Sequence, residues 1–158
     1  MKKRLFTAVL SVFLILSLCS ALFSCTVDLS HKHYYNSIGT CGVCGYSISI
    51  PLEYNEYDGT YSAEVGVEAV PPSGNGCYYF NFLPHGERKV AFSITGNPEI
   101  EIDRIDVYLS AANHMGTPLL KNGLLEYTLS SQSIIYLQVR FEGGAGAVKF
   151  RVNNLLEG

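Results

Sequence analysis

The chain has 158 residues, 47% apolar, 12% aromatic and 16% charged, with a formal net charge of -3. That length holds one domain and excludes a large multidomain enzyme. The low charge, with 15 Gly, 11 Tyr and 8 Phe, excludes a disordered chain, and the acidic balance excludes nucleic acid as a partner.

Residues 1–24 read as a lipoprotein signal peptide. Lys2-Lys3-Arg4 precedes an apolar run from Leu5 to Phe23, broken by Thr7, Ser11, Ser17 and Ser20, which is the cationic head and apolar body of an export signal. Leu22-Phe23-Ser24-Cys25 resembles the bacterial lipobox, whose cysteine is diacylated after cleavage; Phe23 is larger than the residue usual there. Cleavage after Ala21, or retention of the run as an anchor helix, are the alternatives. Lipidation at Cys25 is the expectation, with the membrane as partner and the bacterial cell envelope, periplasmic or surface-exposed, as location. Cleavage before Cys25 leaves 134 residues with 8 basic against 14 acidic side chains, a net charge of -6. Such a domain hangs from its acyl chains and is repelled by anionic headgroups.

Residues 25–45 form the anchor, a short tether and a His/Cys segment. In an oxidising compartment Cys41, Cys44 and Cys77 are an odd number, so no disulfide framework uses them all. Cys41-Gly42-Val43-Cys44-Gly45 has the spacing that turns two sulfurs toward one ion, with Gly45 supplying the turn. His31 and His33 share a face if the chain is extended, and complete a His2Cys2 set. One structural zinc is the expected cofactor; a Cys41–Cys44 disulfide and two unlinked thiols are the alternatives. Four protein ligands leave no open position for a substrate.

Residues 46–158 read as strands. Tyr46, Ile48 and Ile50 alternate with serines, and after Asp58-Gly59 the alternation resumes at Tyr61, Ala63, Val65, Val67 and Ala69, which predicts a hairpin. Pro71-Pro72-Ser73-Gly74-Asn75-Gly76 breaks pairing before Tyr78, Phe80 and Phe82; Val90, Phe92 and Ile94 follow Pro84-His85-Gly86. Ile100 and Ile102 have one parity and Ile105, Val107 and Leu109 the other, which predicts a bulge near Asp103-Arg104. Asn122-Gly123 and Gly143-Gly144-Ala145-Gly146 are further turns, flanked by Leu125, Tyr127 and Leu129, by Ile135, Leu137, Val139 and Phe141, and by Val148, Phe150 and Val152. No helical period lasts. The fold class is all-β: an antiparallel β-sandwich, jelly-roll-like, of about eight strands. Cys77 reads as a small buried hydrophobe.

Three stretches carry a resemblance. Tyr78 to Gly86, Ile105-Asp106-Val107-Tyr108-Leu109, and Ile135-Tyr136-Leu137-Gln138-Val139 with Phe150-Arg151-Val152 resemble the bacterial pre-peptidase C-terminal domain, over residues 60–152. That family is a secreted, non-catalytic β-sandwich usually attached to peptidases. The resemblance implies an accessory binding module, here without a peptidase and without the acidic calcium cluster of some related collagen-binding domains.

Motifs for catalysis are weak. No Gly-x-Ser-x-Gly occurs, the Gly143–Gly146 turn precedes no helix, and His85 and His114 read as solvated loop side chains. Glu99, Glu101, Asp103 and Asp106 read as a solvated strand face, while Asp103 and Asp106 beside the bulge leave calcium open. Tyr54 and Tyr57, in the loop from Glu53 to Asp58, are candidates for ligand binding, by stacking on sugar or anchoring a protein. The expected function is a lipid-anchored, non-catalytic binding or adhesion module for a protein or polysaccharide. The alternatives are a structural or accessory subunit of an envelope or protease complex, and a metal-dependent enzyme or metal carrier using His31, His33, Cys41 and Cys44.

Overall fold

Side chains alternate faces along a strand, so runs with apolar residues at every second position bury one face and need a second sheet to cover it. The computed structural model describes residues 31–71, 73–86, 88–129 and 132–155; the signal segment and Cys25 lie outside them. The described strands are β1 (Ile50–Pro51), β2 (Glu53–Asn55), β3 (Thr60–Val67), β4 (Tyr78–Phe82), β5 (Arg88–Gly96), β6 (Ile100–Ser110), β7 (Asn113–Gly116), β8 (Leu119–Lys121), β9 (Leu124–Leu129), β10 (Ile135–Gly143) and β11 (Gly146–Leu155). They form a five-stranded sheet, β1-β4-β10-β6-β7, and a six-stranded sheet, β2-β3-β11-β5-β9-β8. No helix among these residues is long and apolar enough to cross a membrane.

The inner strands, β4-β10-β6-β7 and β3-β11-β5-β9, have the interleaved order of a jelly roll, in which the chain passes repeatedly between sheets. Seven of these eight are alternating runs the sequence showed; the eighth, β7, was not expected, and the expected strand from Tyr46 to Ile50 is represented only by the edge strand β1. The short β1, β2 and β8, two or three residues each, extend the edges. The inner faces meet in one core, where Phe80, Val107 and Leu137 face Phe92, Phe150 and Val152, all but fully buried. The Phe80 and Phe150 rings stack across the sheets at 4.6 Å, a contact that adds about 0.5–1.5 kcal/mol to the area buried.

Two local readings meet different outcomes. The bulge is present: β10 pairs Arg140 with Arg104 and Phe141 with Ile102, leaving Asp103 as the extra residue. It puts Ile100 and Ile105 on the same buried face and turns Arg104 and Asp106 together to the other. The expected hairpin is corrected. β3 pairs with β2, Asn55 opposite Thr60, whereas Ile50-Pro51 pairs in parallel with β4 in the other sheet. Proline cannot donate to a ladder, so Pro51 suits a sheet edge and not a hairpin strand. Asn122 and Gly123, at φ 49° and 77°, close the β8–β9 hairpin as a two-residue loop of the type that needs positive φ at both positions.

Truncation of Phe150, which is fully buried, is expected to cost about 3–5 kcal/mol as Phe150→Ala. Leu120→Ala, at a side chain that is largely exposed, should stay within about 0.5 kcal/mol. Urea midpoints of the two variants check both.

Candidate functional site

The His/Cys segment is built from short extended pieces. Tyr35 bridges Cys41 and Thr40 bridges Ser47, both antiparallel, and the Ile48 N–H donates to the Gly39 carbonyl at 2.9 Å. Asn36 closes the first turn: its Oδ1 accepts from the Ile38 and Thr40 N–H groups at 3.1 and 3.0 Å, as asparagine does where a turn leaves amides unpaired. The second turn is Cys41 to Gly45. Gly45, at φ 75°, donates its N–H to the Cys41 carbonyl at 2.9 Å, and the Cys41 N–H donates to the Tyr46 carbonyl at 2.8 Å.

These turns bring the expected ligands together. The donor atoms of His31, His33, Cys41 and Cys44 all lie within 4.8 Å of one another. His33 Nδ1 stands 3.5 Å from Cys44 Sγ. The His33 ring lies against Tyr35 at 5.8 Å and Tyr46 at 5.4 Å, so its plane is held by packing on its own segment. Cys41 is buried and the other three are half-buried. No disulfide involves Cys41, Cys44 or Cys77. Two thiols and two imidazoles at this separation form a donor set suited to a tetrahedral, thiophilic ion.

His33–Gly158 is one compact unit, and the segment lies on the outer face of the five-stranded sheet. Ser37 Oγ donates to the Ala111 carbonyl, between β6 and β7, at 2.7 Å. Gly39, at φ 76°, presses on Tyr79 of β4 so closely that a Cβ there would stand 2.6 Å from the ring. Tyr79 projects outward from its strand, opposite in parity to the core residues Tyr78 and Phe80, yet it is 2% exposed. Its hydroxyl accepts from Asn75 Nδ2 at 2.6 Å and Gln138 Nε2 at 3.4 Å. Burial is the main reason its pKa is raised, with the Asn75 hydrogen bond opposing.

Beyond Tyr79 the outer face is polar. Arg104 grips Asp106 with both arms of its guanidinium, Nε to Oδ2 at 2.8 Å and Nη2 to Oδ1 at 3.0 Å. Thr117 Oγ1 donates to Oδ1 at 2.6 Å, and His114 Nε2 stands 3.4 Å from the same oxygen. Asp106 is 8% exposed. Burial pushes its pKa up, but the hydrogen bonds from Arg104 and Thr117 and the Arg104 charge outweigh it and hold the carboxyl below its ordinary range. Cys77, Arg104, Asp106, Gln138 and Arg140 line a cleft of about 200 Å³ beside this pair.

The solvated reading of Asp106 is therefore corrected. Its oxygens are taken by cationic and hydroxyl donors, which is the opposite of what a calcium ligand needs. His114 stands on β7 and not in a loop, with its ring against Tyr108 at 4.9 Å, and its side chain is still 46% exposed. The sequence signal for this site was the two-residue spacing of Arg104 and Asp106, which puts both on one face of a strand, opposite to the apolar Ile105 and Val107. Tyr54 and Tyr57 are not brought together as a platform: Tyr54 packs on Tyr61 at 4.8 Å and His85 at 4.3 Å, and Tyr57 is 99% exposed. Cys77 is buried, as expected.

The described residues form a jelly-roll β-sandwich with a His/Cys knuckle laid on one sheet. No protein-family model and no curated protein matches the chain. Among solved structures, it is similar to PliG, a periplasmic inhibitor of g-type lysozyme, from Aeromonas hydrophila, at 10% identity over 68% of this chain and 96% of that one, TM-score 0.47. It is similar to the pre-peptidase C-terminal domain of a Bacillus anthracis collagenase, at 11% identity over 66% and 94%, TM-score 0.43. The PliG of Salmonella Typhimurium is similar at 15% identity over 70% and 100%, TM-score 0.41. The second of these belongs to the family that residues 60–152 resemble.

A carboxyl with a lowered folded pKa stabilises the fold above its unfolded pKa, near 3.9, and that contribution is lost as pH falls through the folded value. Asp106→Asn is expected to destabilise by about 1–3 kcal/mol at pH 7. The difference from the parent chain should shrink as pH falls below about 4. Urea unfolding of both chains across that range measures it.

Proposed function

We propose that this protein is a lipid-anchored, non-catalytic binding module of the bacterial cell envelope. It is tethered through Cys25 and recognises a carboxylate-bearing protein or polysaccharide on the outer face of its five-stranded sheet. The observation that carries the reading is the cleft lined by Cys77, Arg104, Asp106, Gln138 and Arg140. It stands on adjacent, well-paired strands, β6 and β10, so its groups are held in place before any ligand arrives. Arg104 is fixed by Asp106 and still 60% exposed at its side chain. Arg140 is exposed and has no ion pair among the described residues. Planar guanidinium forks match carboxylates in two-point contacts. On a chain whose mature charge is -6, a pair of arginines in a cleft is a local attraction for anions. The anchor supplies location, and the sandwich supplies rigidity.

Fractionation of a bacterial host expressing the full-length chain tests the tether: the parent chain is expected in the membrane fraction and Cys25→Ser in the soluble one. Retention of polygalacturonate, a carboxylated polysaccharide, and of polyglutamate tests recognition. One of the two should bind saturably, weaken as salt rises, and lose about tenfold or more, some 1.4 kcal/mol, with Arg140→Glu. Release of shortened polymer, or retention unchanged by Arg140→Glu, contradicts the reading.

A second reading, an accessory subunit of an envelope or protease complex, is favoured by the exposed leucines Leu119, Leu120 and Leu124 on β8 and β9, since clustered exposed apolar side chains mark protein contacts. It predicts a stable partner lost with Leu120→Asp and kept with Arg140→Glu.

A further inference from the structure

We propose that His33, Cys41 and Cys44, with His31 as fourth ligand, bind one zinc ion, and that this ion clips the segment from residue 33 to residue 48 onto the sheet. Around tetrahedral zinc, with Zn–S about 2.3 Å and Zn–N about 2.0–2.1 Å, a nitrogen and a sulfur stand about 3.5 Å apart and two sulfurs about 3.8 Å. The His33 Nδ1 to Cys44 Sγ separation is 3.5 Å, and no pair of donors in the set exceeds 4.8 Å. The donors are therefore placed for the ion with only small adjustments of side-chain torsions.

Charge and protons balance. Binding releases one proton from each thiol, and two thiolates with two neutral imidazoles cancel the charge of Zn²⁺, so the finished site is neutral. A neutral site suits Cys41, which is 1% exposed, because burial disfavours any uncompensated charge. Soft sulfur and imidazole donors select zinc over calcium or magnesium, which take oxygen ligands. With four protein ligands the shell is closed and the ion is structural.

The consequence lies in the fold. Between His33 and Ile48 few side chains are buried, and contacts that hold the segment to the sheet include the Ser37–Ala111 hydrogen bond and the Gly39–Tyr79 approach. A metal joining both ends of the segment's second turn to His33 closes it as a unit. The cover over Tyr79 is then held more firmly when the ion is bound.

The test uses the full-length chain, extracted in detergent and purified without chelator. Elemental analysis should give one zinc per chain, retained in Cys77→Ser and lost in Cys44→Ser. His31→Ala should lower the affinity measured by chelator competition by tenfold or more. Cobalt exchanged into the site should show the visible absorption of a tetrahedral ion with thiolate charge transfer. Chelation of the zinc form should raise amide exchange in residues 39–48 and leave β11 unchanged, which a folding defect would not do. A metal-free chain two mass units light, from a Cys41–Cys44 disulfide, overturns the proposal. So does a metal-free chain with both thiols titratable, or zinc that survives Cys44→Ser. The carboxylate-binding reading stands or falls separately, on Arg140.

Discussion

The close approach of Gly39 to the Tyr79 ring is the constraint on which the outer face of the five-stranded sheet depends. A tyrosine that points away from the core would stand in water, but this one is covered by backbone that only a glycine, with positive φ and no Cβ, can bring so near. Once the ring is covered, its hydroxyl needs partners, and Asn75 and Gln138 provide them. Gln138 in turn accepts from Tyr108 at 3.4 Å, and its neighbours across the sheet are Tyr79 and Asp106. The polar row from Tyr79 to the Arg104–Asp106 pair is thus ordered from one end by the segment laid over it. A change at Gly39 would act on the cleft through side chains it never touches.

The β-sandwich was legible in the alternation, because the core requires every second residue of each long strand to be apolar, and that requirement survives any strand order. The bulge was legible for the same reason: an extra residue must shift parity, and Ile102 to Ile105 shows the shift. Strand partners were not. Ile48 and Ile50 alternate as a hairpin strand would, and nothing in their spacing says that the chain leaves for the other sheet at Ile50-Pro51. The short edges β1, β2 and β8 have too few residues to carry a period at all.

The site was legible in part, along a line set by distance in sequence. His31, His33, Cys41 and Cys44 lie within fourteen residues, so local turns alone can bring them together and their spacing records it. Asp106 was misread because polar residues on an alternating strand imply a wet face, and the inference fails where another part of the chain covers that face. Its partners Thr117 and His114 come from beyond the next turn, and Arg104, two residues away on the same strand face, grips it with both arms. Tyr54 stays open to solvent on one side, at 36% exposure, and its packing on Tyr61 and His85 could not be read from a polar loop.

The sandwich does not need the ion in order to fold. About 126 residues, from His33 to Gly158, are enough for a domain to bury roughly two-thirds of the surface its unfolded chain exposes, and the stacked Phe80 and Phe150 lie in a core the His/Cys segment does not enter. Zinc fingers behave differently, being unfolded without metal because they have almost no other core. In this chain the free energy of the proposed coordination would act on a sub-global opening, that of the segment over the sheet, and such openings lie well below global unfolding. The proposed four-ligand clip would resist peeling of the segment from Tyr79 while leaving the stability of β11 and the core to their own packing.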